Sequence, residues 1–396
     1  MPPDRLAILL LCYEYPPIGG GGGVGARQYA EAWAAKGHEV TVVTSHADGL
    51  ARRERVNGVE VVRVPTWGKK DRATSTGLSM AAYLLTGALH LLRHRATYRR
   101  IDILNTHFAV PTGPLGWLAG KLLRRPNVLT IIGGDIYDPT KSTSPHRHLI
   151  LRKLNSFLMN AADRVIAISS DTRGRAERHY RVRRPIAVVN YAFLPPEGGV
   201  SVPPLAPDRY HLISVGRLIE RKGFPYLIRA LPLLPPDVHL LLLGDGPLDA
   251  ELRRLAAELG VADRITFLGY RSTEEIHGWL RRADCYVLSS LHEGLGIVVQ
   301  EAMYAGLPVV ATDEGGQVDL IRTGRNGLLV KPGSAEQLAG AIDQLYRDRE
   351  LGRTMGRNNR MDIEQYLAGP NSELYVTAFR ELIAERVGPT PGPALR

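Results

Sequence analysis

The chain alternates short apolar runs with longer stretches in which apolar positions recur every three to four residues. Strand-sized apolar runs separated by amphipathic helical stretches are the signature of parallel sheets covered by helices, because such strands are buried on both faces. In the first half, runs at 6–12, 39–45, 59–64, 101–106, 127–132, 164–168 and 186–190 are predicted as strands, with helices between most of them. "YAFLPPEGGVSVPPLAP", residues 191–207, holds five prolines and two glycines and is predicted as a linker, since proline fixes φ and removes a backbone donor. A second series follows in "YHLISVG", "HLLLLG", "ITFLG", "CYVLSS", "PVVATD" and "GLLV". Two doubly wound α/β domains in tandem are the economical reading of 396 residues, a length beyond what one hydrophobic core fills. In such sheets ligands bind beyond the carboxyl ends of the strands, so the loops after strands are where chemistry is sought.

With 44% hydrophobic and 23% charged residues, the composition is that of a soluble globular protein. The longest mostly apolar stretch, Ala81 to Leu92, contains Thr86, Gly87 and His90, short of the ~20 residues that span a bilayer. The opening run "LAILLLC" leads into "YEYPP" rather than a small-residue cleavage site, and reads as a strand rather than a signal peptide. The two cysteines, Cys12 and Cys285, lie far apart in sequence; no disulfide framework or zinc site is built from them, and buried strand thiols in a reducing, cytoplasmic compartment are expected. The net charge of +10 is uneven: residues 1–200 carry +13 and residues 201–396 carry −3. The first half is therefore expected to face something anionic. No aromatic-basic nucleic-acid motif accompanies the charge, and an anionic membrane surface is the expected partner. Two segments concentrate the effect, 78–100 and 146–159, each mixing apolar helical positions with arginine or lysine.

"CYEYPPIGGGGGVGARQY", residues 12–29, places five consecutive glycines between an apolar run and a helix. Bare backbone is tolerated where the chain bends sharply or approaches a ligand closely. Gly20, Gly22 and Gly25 make a formal GxGxxG, but Tyr13 to Gly19 intervene after the strand and the second strand ends "VVTSH" without an acid. That disfavours a dinucleotide loop and leaves close approach to a phosphate or sugar as the expectation. "SVGRLIERKGF" puts Arg217 and Lys222 in the loop after the first strand of the second domain, where a planar fork and a point charge can hold a diphosphate. In "HEGLGIVVQEAMYAGLPVVATDEGG", Glu293 precedes a helix and Glu301 lies within it among Ile297, Val298, Val299, Ala302 and Met303. A buried carboxylate needs hydrogen-bond donors, and a ribose diol would serve. Gly294, Leu295 and Gly296 lead into that helix, whose first N–H groups favour an anion.

The segments "YPPIGGGGGVG", "KGHEVTVVT", "VGRLIERKG", "LLLGDGP", "FLGY" and "EGLGIVVQEAMYAGLPVVAT" resemble the retaining GT-B glycosyltransferases of family 4, also called glycosyltransferase group 1. The resemblance covers nearly the whole chain. It implies an acceptor-binding Rossmann-like domain at 1–195, a nucleotide-sugar-binding one at 208–370, a helix at 371–387 crossing back to the first, and a flexible tail at 388–396. The two domains would face each other across a cleft. Carried over by motif, Gly22 and Gly23 would lie beside the donor diphosphate, which Arg217, Lys222 and the backbone of Gly294, Leu295 and Gly296 would hold. Glu301 would take the ribose and Glu293 the donor sugar's hydroxyls. His107 in "NTHFAVPTG" and Asp135 in "IIGGDIYD" match the family's active-site histidine and acid.

The chain departs from the family at Ile132, where many members have histidine, at Tyr191 after Asn190, where many have glycine, and at Asp319, where many have glutamate. The expected activity is transfer of a sugar from a UDP- or GDP-sugar to a hydroxyl acceptor, a lipid-linked or cell-envelope glycan, with retention. No DxD-type metal motif stands in the sequence, and no metal or other cofactor is expected. A sugar-nucleotide epimerase and a non-catalytic carbohydrate-binding subunit are the alternative readings.

Overall fold

The computed structural model describes residues 4–67, 76–196, 198 and 200–387; the tail expected at 388–396 lies outside them. The chain divides into two compact units. One comprises the chain to Asp138, Thr143–Ala192 and the segment from Ala368, the other Pro139–Ser142 and Phe193–Leu367.

In the first unit, β1 (Ala7–Cys12), β2 (Glu39–Ser45), β3 (Arg53–Val56), β4 (Val59–Val64), β5 (Ile103–His107), β6 (Asn127–Ile131), β7 (Arg164–Ala167) and β8 (Ile186–Val188) form one sheet, ordered β3-β4-β2-β1-β5-β6-β7-β8. Its helices are α1 (Gly21–Ala35), α2 (Gly77–Arg93), α3 (Gly113–Leu123), α4 (Leu149–Ala161) and α5 (Ser170–His179). Nearly every residue of β1, β2, β5 and β6 is buried, which is why these strands read as continuous apolar runs rather than alternating ones.

Strand β3 is not predicted by the sequence pattern, because "RERV" has one apolar residue in four. It pairs antiparallel with β4 through Asn57 and Gly58, at φ 48° and 80°, the two left-handed positions of a two-residue hairpin turn. Its charges suit an edge strand, where they discourage pairing with another chain.

The second unit holds β9 (Tyr210–Val215), β10 (Val238–Leu243), β11 (Ile265–Gly269), β12 (Cys285–Leu288), β13 (Val309–Thr312) and β14 (Gly327–Val330), all parallel, ordered β11-β10-β9-β12-β13-β14. Around them lie α6 (Phe224–Ala230), α7 (Asp249–Glu258), α8 (Thr273–Leu280), α9 (Ile297–Ala305), α10 (Ala335–Arg347) and α11 (Arg349–Asp362). The unit begins earlier than the expected 208: Phe193 donates its N–H to Tyr366 O at 2.7 Å and bridges Leu367.

A last helix, α12 (Ala368–Val387), starts three residues before the expected 371 and belongs to the first unit. Tyr375 and Phe379 pack on Tyr29 and Trp33 of α1, with ring centroids 4.5 Å apart for Tyr29–Tyr375 and 5.3 Å for Trp33–Phe379. Cys12 and Cys285 are buried free thiols.

Strand order reverses once in each sheet, between β1 and β5 in the first and between β9 and β12 in the second. Connections leave in opposite directions from such a pair, opening a crevice beyond the carboxyl ends of the strands. The loops after β1, β5, β9 and β12 therefore carry the candidate chemistry.

Candidate active site

In the second unit, the loop after β9 is a short turn over Glu220–Lys222 ending at Gly223, which is left-handed at φ 63°. A Cβ on Gly223 would stand 2.1 Å from Ser289 O, so only glycine lets this loop lie against the loop after β12. The two loops are then laced together. Ser289 Oγ donates to Lys222 O at 3.0 Å, Leu291 N to Arg221 O at 2.8 Å, and Arg221 Nη1 to His292 O at 3.0 Å.

Glu293 is the focus of this lacing. Its Oε1 accepts from Lys222 Nζ at 2.6 Å and Ser290 Oγ at 2.7 Å, and Arg221 Nη1 stands 3.5 Å from its Oε2. Burial alone would raise the Glu293 carboxyl, but the Lys222 ammonium, then Arg221 and the two hydrogen bonds, bring it down to about 2. Burial also pulls Lys222 down from the ordinary lysine value, with Glu293 opposing and Arg221 and Arg217 adding to the fall. Lys222 and Arg221 thus share the Glu293 carboxylate at the strand ends, and Arg217 is near enough to act on Lys222, a grouping of cations suited to an anion of more than one charge.

Helix α9 opens at Gly296, left-handed at φ 88°, and buries Ile297, Val299, Gln300, Glu301, Ala302 and Met303. In its first turn Val299 N donates to Gly296 O at 2.8 Å, and helix geometry gives the N–H groups of Ile297 and Val298 no acceptor within the helix. Glu301 is buried as predicted, and both Glu293 and Glu301 are near enough to the buried Tyr286 phenol to push it up after burial has done so. The loop after β13 closes on the site through Gly316 N, which donates to Glu293 O at 2.9 Å.

In the first unit, the glycine run differs from its expected form. Gly21 to Gly25 lie inside α1 rather than in a loop, and protein neighbours already account for several bare positions. A Cβ on Gly22 would meet Ile132 Cδ1 at 2.4 Å, one on Gly23 would meet Glu14 O at 2.8 Å, and one on Gly25 would meet the Tyr191 ring at 2.4 Å. Close approach is the reason for the glycines, but what approaches Gly22, Gly23 and Gly25 along the missing Cβ is the unit's own chain.

His107 ends β5 and is fully buried. Its Nδ1 donates to Asn105 Oδ1 at 2.9 Å, while Asn105 Nδ2 donates to Thr130 Oγ1 at 3.1 Å and so fixes which end of the amide faces the ring. Nε2 keeps its lone pair and has no hydrogen-bond partner among the described residues. Tyr191 stacks nearly parallel to the imidazole, at 10° and 6.2 Å. Asp135 is buried too. Its Oδ2 accepts from Ala109 N at 2.6 Å and its Oδ1 from Ile132 N at 3.0 Å, so it ties the loop after β5 to the loop after β6. Burial raises its carboxyl to about 6 against the pull of these N–H groups.

Burial lowers His107 from 6.5 to about 3, and this has a measurable consequence. Between these values the unfolded chain binds a proton that the folded chain refuses, so stability falls as pH drops below 6.5. From pH 8 to pH 5 this group alone should remove about 2 kcal/mol. Asp135, raised to about 6, works in the opposite direction over this window, so denaturant unfolding at both pH values should show the His107 loss as the difference between the pH dependences of the native chain and of His107→Gln. Identical slopes would mean that the imidazole is not buried neutral.

Two contributors are missed by the sequence reading. Arg221 is adjacent to Lys222 in "ERKG" and carries no pattern that separates it from a solvated loop charge. Tyr191 stands out only as a departure from the family, with no sign that its ring covers His107.

Comparison with known proteins agrees with this geometry. Residues 20–192 match the glycosyl transferase 4-like domain, and residues 201–362 match the family described as glycosyl transferases group 1. The sucrose-phosphate synthase of Thermosynechococcus elongatus superposes with a TM-score of 0.81 over 96% of this chain and 100% of its own, at 24% identity. Anabaena HepE, solved with UDP and glucose, superposes with a TM-score of 0.75 over 95% of this chain and 100% of its own, at 22% identity. The fold is therefore GT-B. Among curated relatives, the GDP-mannose-dependent alpha-(1-6)-phosphatidylinositol monomannoside mannosyltransferase of Mycobacterium tuberculosis is 29% identical over 89% of this chain and 92% of its own. The lipopolysaccharide core biosynthesis glycosyltransferase LpsE of Rhizobium meliloti is 39% identical over 44% of this chain, which spans half of that relative. The chain belongs to the group 1 glycosyltransferases of the GT-B fold.

Proposed function

We propose that the protein transfers a glycosyl group from a UDP- or GDP-sugar to a hydroxyl of a lipid-linked or cell-envelope glycan, with retention and without a metal ion. The observation that carries this reading is the pairing of Lys222 and Arg221 with Glu293, with Arg217 near Lys222, at the β9–β12 switch point. Breaking a sugar–phosphate bond develops negative charge on the leaving diphosphate, and preorganised donors aimed there are usually the largest catalytic term. Arg217, Arg221 and Lys222 supply such donors, joined by the backbone of Gly294, Leu295 and Gly296.

Glu293 orients the cations and accepts from the donor sugar's hydroxyls, and Glu301 accepts from the ribose. Asp135 acts as a positioning residue through Ala109 and Ile132, and His107 through its neutral ring. Relatives support the donor and acceptor classes: one uses GDP-mannose on a phosphatidylinositol mannoside, another builds lipopolysaccharide core, and a GT-B neighbour was solved with UDP. The two reduced thiols suit the cytoplasm.

Release of UDP or GDP from a panel of their sugars, in chelator and with candidate acceptors, tests this reading. Acceptor-dependent release that survives chelation is expected, and Glu301→Ala should raise the donor KM about tenfold with kcat little changed. A complete, metal-reversible loss of activity would overturn the metal-independent mechanism.

A further inference from the structure

Three neighbouring helices of the first unit leave large apolar side chains in solvent. On α2, Leu78, Leu85, Leu89 and Leu92 are all more than half exposed, and their spacing of seven, four and three residues sets them on one stripe. The opposite face buries Tyr83, Gly87 and Leu91, and the missing side chain of Gly87 admits Leu115 of α3, which a Cβ would meet at 2.7 Å. Helix α3 presents Trp117, whose ring meets Phe157 of α4 edge to face at 5.6 Å. Helix α4 adds Leu149 and Ile150, the latter 80% exposed. Large exposed apolar side chains gathered on three packed helices mark a contact site.

Charge identifies the occupant. Residues 76–100, 113–125 and 143–162, which contain these helices and their ends, hold ten lysines and arginines and no aspartate or glutamate. Lys153 falls between Ile150 and Phe157 on the same face of α4, where its stem can lie along apolar surface with the ammonium outward. A second copy of the chain docked here would set like charge against like charge. A polynucleotide would answer the arginines and leave the leucines without a partner. An anionic bilayer answers both, with headgroup phosphates for the cations and acyl chains for the leucines, tryptophan and phenylalanine. No described helix is long and apolar enough to cross a membrane, so the contact is one of lying on the surface.

We infer that the α2–α3–α4 face docks the first unit on an anionic phospholipid surface. This rests on the reading of a lipid-linked acceptor only for its purpose, and its test uses neither donor nor acceptor. The full chain is sedimented with vesicles of phosphatidylcholine alone and of phosphatidylcholine with phosphatidylglycerol. Binding to the anionic vesicles that weakens as salt rises, at least tenfold stronger than to the neutral ones, is the expected result.

Leu85→Glu with Leu89→Glu, and separately Arg152→Glu with Lys153→Glu, should each weaken it at least tenfold. These positions are exposed, so folding is retained, as unchanged circular dichroism and an unchanged thermal unfolding transition would show. Absence of binding at low salt, equal binding to neutral vesicles, or unaltered binding by both variants would overturn the docking face. So would a concentration-dependent dimer abolished by the leucine variant without any vesicle binding. If vesicles bind as expected but no acceptor is glycosylated, the docking face stands and the acceptor reading falls.

Discussion

Glu293→Gln is expected to lower kcat by about 10²–10³-fold while the donor KM moves only a few-fold, because the loss falls on groups aimed at the leaving charge. The native carboxylate accepts from Lys222 at 2.6 Å and Ser290 at 2.7 Å, with Arg221 at 3.5 Å. Glutamine keeps the volume and one acceptor but removes the charge that holds two cations together. Burial already disfavours the Lys222 ammonium, and without its counter-charge the ammonium is disfavoured further and loses its aim.

Stability and turnover respond differently, which separates a structural role from a catalytic one. Removing one partner of a fully buried pair costs about 3–5 kcal/mol, whereas replacing both by groups of similar volume is often neutral. Lys222 and Glu293 side chains are 14% and 8% exposed, so the lower end of that range applies. Lys222→Met combined with Glu293→Gln should regain most of the stability lost by either alone and none of the turnover. Recovered turnover in the double variant, or a change in donor KM with kcat intact, would show that the pair is scaffolding.

Gly223→Ala is expected to destabilise the second unit by about 3 kcal/mol or more, through a left-handed backbone and a collision together. Its φ is 63° and the added Cβ would stand 2.1 Å from Ser289 O, a main-chain atom that cannot swing aside. Gly260 is the internal control, at φ 67° with nothing within 4 Å of an added Cβ. Gly260→Ala should cost only the conformational part, about 1–2 kcal/mol. For a unit of this size the difference is a fall in Tm of several degrees. Equal melting temperatures for the two variants would dismiss the collision. Turnover should fall as well in Gly223→Ala, since the same contact sets Lys222 against Glu293.

The alternation of apolar runs and helical segments was enough to read two tandem α/β domains and all but one of the strands, because parallel strands buried on both faces leave a local, periodic trace. The exception, β3, is an edge strand whose charged residues need no core, so only the Asn57–Gly58 turn announced it. The identity of the chemically distinctive residues was also local: Arg217 and Lys222 after one strand, Glu293 and Glu301 around one helix, His107 and Asp135 after two others.

What those residues do to one another was not local. Lys222 and Glu293 stand 71 residues apart and meet only because β9 and β12 are neighbours at a point where strand order reverses, an outcome of which faces must be buried together. The same packing puts Tyr191 over His107, makes Asp135 a tie between two loops, and fills the space beside Gly22, Gly23 and Gly25 with protein. Composition and periodicity record what each residue needs; tertiary packing decides which other residue supplies it, since a buried charge or a missing Cβ is satisfied by whatever the strand order brings near.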